Sequence, residues 1–353
     1  MPIRTTTIGA YPKPDYVPIP DWFGEASTVD RDPTTALDQC EECLGPEATK
    51  LLDRATMEVV MEQNRLGIDV PTDGEIRREN YIHYHCRHIA GIDFNRLTKK
   101  AMRDGEWVVA VPTITGPIKP NNGPGFLARD WRVAQSATDR PVKITLPGPM
   151  TIMDSTKNEY YEDESTLSTD LANTLNAEVR ALADAGCRWI QVDEPIFARK
   201  PDDAFAYGIT ALERCFHGVN PSVNRVTHIC CGYPDTLDSE HYLKAPPEHY
   251  FQLAPALDAA AIDAVSIEDA HRPNALTLLE AFKQTIVILG VIGIARSRIE
   301  SIGEIRERLE HATHHIDPER LMAAPDCGLG MLNHGQVTAK LRNMVSAAQL
   351  VGR

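Results

Sequence analysis

The sequence predicts an α/β fold: one parallel, eight-stranded (β/α)8 barrel of the TIM type. Three observations carry this expectation. From about residue 142 onward, short apolar runs alternate with longer helical patterns. The apolar runs are nearly continuous rather than alternating, as strands buried on both faces require. With two candidates upstream there are eight strand runs, mostly separated by helices.

Taken in order, TTTIG (5–9) is the first strand and IDVPTDGE (68–75) the second, with the helix KLLDRATMEVVMEQNRLG (50–67) between them. VKITLPGP (142–149) is the third strand and turn, followed by a helix over 166–186 that stops at a glycine. WIQVDEP (189–195), RVTHIC (225–230) and DAVSIE (263–268) are the next strands, spaced by helices near 202–217 and 249–259. ALTLLEAFK (275–283) reads as a helix, TIVILGVI (285–292) as a strand and IGEIRERLEHATHHI (302–316) as a helix. RLMAAPDCG (320–328) is the eighth strand, and the helix 334–351 closes the chain. Two stretches break the rhythm. Residues 11–48, rich in proline and acidic residues, read as an irregular lid-like loop. Residues 93–141 read as an excursion between the second and third strands, a hairpin plus a short helix. All 353 residues form one expected domain, without internal repeats.

Composition narrows the function. A net charge of -14 and an acidic pI argue against nucleic acid as a partner. The first fifteen residues lack a basic segment followed by an apolar stretch, so no signal peptide is expected. No run approaches the roughly 18 apolar residues of a membrane span. Eight cysteines in such a chain read as thiols or metal ligands rather than a disulfide framework, in a cytoplasmic setting.

Several chemically capable residues fall at the carboxyl ends of the expected strands: Glu75, Asp193, Glu194, His228, Cys230, Glu268 and Cys327. In a barrel those ends share one mouth, where active sites form. His228 and Cys230 stand two apart, so on extended backbone they point the same way. One imidazole, two thiolates and the Glu268 carboxylate suit a tetrahedral zinc ion. Ligands scattered over three strand ends point to catalysis, with Glu268 the one to yield to substrate. A free thiol has a pKa near roughly 8.5 and only its thiolate is a good nucleophile. Zinc would supply that thiolate for attack on an electrophilic carbon. The bland alternative is that a buried cysteine is an inert small hydrophobe.

THICC, VSIED and APDCGLG occur in the order and context of the cobalamin-independent methionine synthase family, which the chain resembles from residue 5 to about 330. TTTIGAYP, TDGEIRREN, LPGPMTI, WIQVDEP and LGVIGIARSRIES are similar to that family's core motifs as well. The likeness covers the catalytic barrel and not the duplicated amino-terminal half of long members. It implies zinc ligands His228, Cys230, Glu268 and Cys327. It implies that Glu75 and catalytic Asp193 hold the amino group of a thiol such as homocysteine, and that the backbone of Ile8, Gly9 and Ala10 faces its carboxylate. Carboxylates at a mouth do suit an ammonium group, although pairing with Arg77, Arg78 or Arg199 is the competing reading.

The departures from the family concern the methyl donor. The Arg-Cys pair that long members carry before VVAVPTITG is missing, Ser155 stands where a stacking tryptophan is usual, Arg199 replaces a glutamate, and Ala295 replaces a histidine proton donor. The expected activity is therefore zinc-dependent methyl transfer to homocysteine, without the usual folylpolyglutamate contacts. A methylated corrinoid or helper protein is a conceivable donor partner. The alternatives are an epoxyalkane:coenzyme M transferase and a non-catalytic zinc-binding barrel. His271 is a candidate proton relay in place of the missing histidine. Among the remaining residues, Cys40 and Cys43 read as a helical surface pair and Cys231 as core. His83, His85 and His88 read as mouth-lining or structural residues rather than a second metal site.

Overall fold

The structure, a computed structural model, describes residues 2–19, 33–102, 107–121, 123–234, 236–239 and 242–351. The backbone organises around a seven-stranded, all-parallel sheet. Its strands are β1 (Arg4–Thr5), β4 (Lys143–Pro147), β6 (Trp189–Asp193), β7 (Asn224–Ile229), β8 (Ala264–Ile267), β9 (Ile286–Ile292) and β10 (Leu321–Pro325), in the order β1-β10-β9-β8-β7-β6-β4. The remaining strands, β2 (Ile89–Met102), β3 (Trp107–Pro120) and β5 (Lys157–Asn158), form a separate three-stranded sheet.

The expectation of eight regular strands is met by seven. Residues 68–75 touch both edges of the main sheet through one isolated parallel bridge each, Thr6 with Val70 and Thr72 with Lys143. Pro71 explains the missing ladder: it has no N–H to donate, although its carbonyl accepts from Lys143 N at 2.8 Å.

Side-chain parity separates the two faces of the sheet. Ile190, Val192, Val265, Ile267, Val287, Leu289, Leu321 and Ala323 join the large cluster packed with the helices. Their alternates, Trp189, Val226, Ala264, Ile288, Met322 and Ala324, form a second cluster with Ile8 and Val70. A strand reverses its side chains at each residue, so this second cluster lines the concave face. Asp193, His228, Cys230 and Glu268 share its parity. The fold thus directs all four towards the interior.

The helices run close to expectation where glycine stops them. Ala48–Leu66 ends on Gly67 and Glu164–Ala185 on Gly186, both glycines left-handed. Three expectations shift. Within 11–48, Pro33–Leu44 is helical rather than irregular; Pro33 suits a first turn, and Ala, Leu, Gln and Glu continue it. Near 202–217 the helix is broken into Pro201–Asp203, a π turn at Ala204–Gly208 and Ile209–Cys215. Over 275–283 only a 3-10 turn, Leu276–Ala281, forms. The side chains of Cys40 and Cys43 lie outside the described residues. β2 and β3 pair as a long antiparallel hairpin, followed by the helix Phe126–Gln135.

Candidate metal and substrate site

β7 ends at Ile229, and two of its last residues set the centre of the site. His228 is inward and buried, and its Nδ1 lies 2.9 Å from Ser266 Oγ on the neighbouring β8. That hydrogen bond occupies one ring nitrogen; Nε2, also buried, has no partner. Cys230 follows on the same side, and Cys327 arrives two residues beyond β10. Their sulfurs are 3.7 Å apart. The ligand atoms of His228, Cys230 and Cys327 all lie within 4.8 Å of one another.

This donor set fits a tetrahedral metal. Two thiolates each about 2.3 Å from a tetrahedral zinc stand roughly 3.8 Å apart, close to the observed sulfur separation. The Ser266 hydroxyl orients the imidazole as outer partners of metal-binding histidines do. The hydrogen bond that Cys230 donates to Cys327, together with burial, pushes the Cys230 thiol well above its ordinary value. Burial opposes charge on His228, but the neighbouring Cys230 outweighs it and raises the imidazole's pKa. A divalent cation would reverse the penalty on the thiols.

Glu268 follows β8 with inward parity, yet it is not among the residues whose ligand atoms cluster. Its Oε1 accepts from Tyr250 OH at 2.7 Å, and its Oε2 is ion-paired with Lys244. Burial would raise its pKa, but Lys244 and these hydrogen bonds hold it below the usual carboxylate value. Cys231 points the other way, as strand geometry requires; its sulfur accepts from Ala245 N at 3.0 Å and lies 3.5 Å from Tyr250 OH.

Around the centre stand the two carboxylates. Asp193 ends β6, with Oδ1 accepting from Gln191 Nε2 at 2.7 Å; burial lifts its pKa to about 7. It makes no pair with Arg199, whose guanidinium lies 3.5 Å from Asp154. Glu75 adopts a left-handed backbone at φ 57°, a conformation costing about 1–3 kcal/mol for a residue with a Cβ. Its Oε1 accepts from Thr145 Oγ1 at 2.7 Å and from Arg78 at 3.2 Å, so the competing arginine pairing is present there. Burial nevertheless raises its pKa. A Cβ on Gly9 would come within 2.5 Å of Glu75 Oε1, so only glycine lets the backbone and this carboxylate meet. The carbonyls of Ile8, Gly9 and Ala10 are taken by Gln191 Nε2 (2.9 Å), Thr72 Oγ1 (2.8 Å) and Leu329 N (2.6 Å).

His271, the expected proton relay, is engaged by the backbone. Its Nε2 accepts two backbone N–H bonds, from Ile294 at 2.9 Å and Ala295 at 3.1 Å, and burial lowers its pKa to about 3. So occupied, the imidazole anchors the backbone at the end of β9, an engagement that competes with the expected proton-relay role. In the His83, His85 and His88 group, burial lowers the pKa of His85 and His83, and His88 stacks on Phe126 with ring centroids 3.8 Å apart.

Sequence reasoning missed Ser266, Lys244, Tyr250 and Asp326. Ser266 was findable, being two residues before Glu268 on one strand. Asp326 accepts the N–H groups of Asp269, Ala270 and His271 at 2.7–2.8 Å, tying the loop after β8 to the one carrying Cys327. Lys244 lies in a patternless stretch beyond β7, and Tyr250 on the helix Pro247–Ala259, whose pattern does not single it out.

The family model "Cobalamin-independent synthase, Catalytic domain" matches residues 3–350. A methionine synthase from Sulfolobus acidocaldarius is 31% identical over 99% of this chain and 92% of its own length. One from Sulfurisphaera tokodaii is 28% identical over 99% of this chain and 92% of its own length. The solved B12-independent methionine synthase from Shewanella sp. W3-18-1, in complex with selenomethionine, superposes with TM-score 0.85 at 27% identity, covering 99% of this chain and 98% of that one. With the family model spanning almost every residue, the chain belongs to the cobalamin-independent methionine synthase family and is an enzyme of its methyltransferase class.

Proposed function

We propose that the chain is a zinc-dependent homocysteine S-methyltransferase that forms methionine with a donor not held by the standard folylpolyglutamate contacts. The observation that carries the metal is the unpartnered, buried Nε2 of His228 beside two sulfurs 3.7 Å apart. His228, Cys230 and Cys327 would hold the ion, with the fourth position shared between Glu268 and the substrate thiol. A zinc ion there would keep that thiol ionised as a nucleophile.

The chain's own groups position the substrate. Asp193 and Glu75 are buried carboxylates suited to an amino acid's ammonium, and poorly suited to the sulfonate of coenzyme M. The carbonyls of Ile8, Gly9 and Ala10 are engaged elsewhere, which leaves their N–H groups to the carboxylate. In this reading the seven strands and the bridged segment 68–72 act as one closed (β/α)8 barrel. The neighbouring reduced thiols suit a reducing, cytoplasmic setting. A methylated corrinoid or helper protein is a donor-side partner consistent with the altered residues.

The test is methionine formation from homocysteine with a panel of donors: methyl-folate, methylcobalamin and small methylated compounds. The reading expects zinc-loaded protein to use a donor with which folylpolyglutamate does not compete at micromolar concentration. Coenzyme M outcompeting homocysteine as acceptor would overturn it in favour of thiol alkylation of the epoxide-opening type.

A further inference from the structure

We propose that Lys244 and Tyr250 form a holding site for the Glu268 carboxylate, and so act as positioning residues that keep the fourth metal position open for the substrate thiol. The inference rests on the zinc reading above and deepens it.

Both carboxylate oxygens of Glu268 are engaged, one by each residue: Tyr250 OH donates to Oε1 at 2.7 Å and Lys244 pairs with Oε2. All three side chains are nearly or fully buried, so this is not a solvated surface pair. Lys244 is fixed in turn by Tyr242, its Nζ lying 3.5 Å from the ring centroid. Tyr242 donates to the carbonyl of Gly232, two residues after Cys230. The segment after β7 therefore does two things: its start presents Cys230 to the metal position, and its end draws Glu268 away.

A buried carboxylate needs a compensating cation. Around Glu268 two candidates compete, the Lys244 ammonium and a metal held by His228, Cys230 and Cys327. While Lys244 holds Glu268, an incoming thiol finds three protein ligands and a vacant place. Without Lys244, the metal is the remaining cation within reach, and Glu268 would occupy the place the thiol requires.

The experiment uses the full chain. Zinc affinity is measured by chelator competition, the melting-temperature rise on adding zinc by calorimetry, and homocysteine affinity by titration of the zinc-loaded protein. Lys244→Met is expected to tighten zinc binding at least about tenfold, to enlarge the zinc-dependent rise in Tm, and to weaken homocysteine binding. Lys244→Arg should restore wild-type values. Adding Glu268→Gln to Lys244→Met should remove the gain in zinc affinity, a result that loss of packing would not produce. Tyr250→Phe, which deletes a single hydroxyl, should shift the same quantities in the same direction by a smaller factor, and serves if Lys244→Met does not fold. Unchanged or weaker zinc binding in these variants would overturn the holding site alone. A wild-type chain that binds no zinc would overturn the zinc reading as well.

Discussion

After β7 and β10, side chains converge on a point and leave a buried nitrogen without a partner; after β4, the chain ties its polar groups to one another. In the first region, His228 Nε2 meets two thiols, and Ser266 turns the ring for them. In the second, Lys100 donates to the carbonyls of Met153, Asp154 and Thr156 at 3.0, 2.7 and 2.9 Å, clamping the segment that holds Ser155. The Asp154 carboxylate there pairs with Lys200 at 2.9 Å and Arg199 at 3.5 Å. Two buried atoms lack partners there too, His83 Nε2 and Arg199 Nε, but they do not gather with other ligand groups. The contrast sets a gathering of three potential ligand groups on the thiol side against internal pairing after β4. The segment holding Ser155, where the sequence departs from the expected donor contacts, is tied by internal ion pairs and hydrogen bonds.

The sharpest way to break that contrast is at Cys230. Cys230→Ala should lower activity by a factor of at least about 10³, the scale of losing a catalytic group, while far-UV circular dichroism stays native. Asp193→Asn follows. Removing one charge of a buried pair costs about 2–5 kcal/mol, so kcat/KM for homocysteine should fall about 30-fold or more, with a marked rise in KM. An unchanged KM would place the ammonium elsewhere.

On the other side, Lys100→Met should cost about 1–3 kcal/mol of stability, read as a lower denaturant midpoint. It should alter donor kinetics more than homocysteine affinity. A weakened homocysteine affinity instead would erase the distinction between the two halves.

The smallest effect concerns His271. Its folded pKa of about 3 lies below the ordinary 6.5, so its contribution to stability is present above about 6.5 and is lost as pH falls towards 3. His271→Phe should therefore cost about 1–3 kcal/mol at pH 7.5, by orphaning two N–H groups, and progressively less towards pH 4. Its pH–activity profile should keep the wild-type shape; loss of a limb near pH 6.5 would restore the proton-relay role.

Much of this was legible in the sequence because strands keep a period of two. His228 and Cys230, or Ser266 and Glu268, stand on one face by count alone, and strand ends in a parallel barrel share one mouth. What was hidden is long-range and aperiodic. Lys244 reaches Glu268 from 24 residues upstream, out of the patternless stretch between β7 and the helix Pro247–Ala259. His271 looked available from its spacing after Glu268; only the packed fold shows its nitrogen already occupied by Ile294 and Ala295. Pro71 hid the strand irregularity at 68–75, because a single missing N–H breaks a ladder without changing the apolar pattern.

The central claim is that His228, Cys230 and Cys327 hold a metal. Its most direct test is elemental analysis of the purified wild-type chain beside Cys327→Ala. About one zinc per wild-type chain is expected from the tetrahedral donor set, and loss of that zinc in a folded variant. A folded wild-type chain that is metal-free and still methylates homocysteine would contradict it.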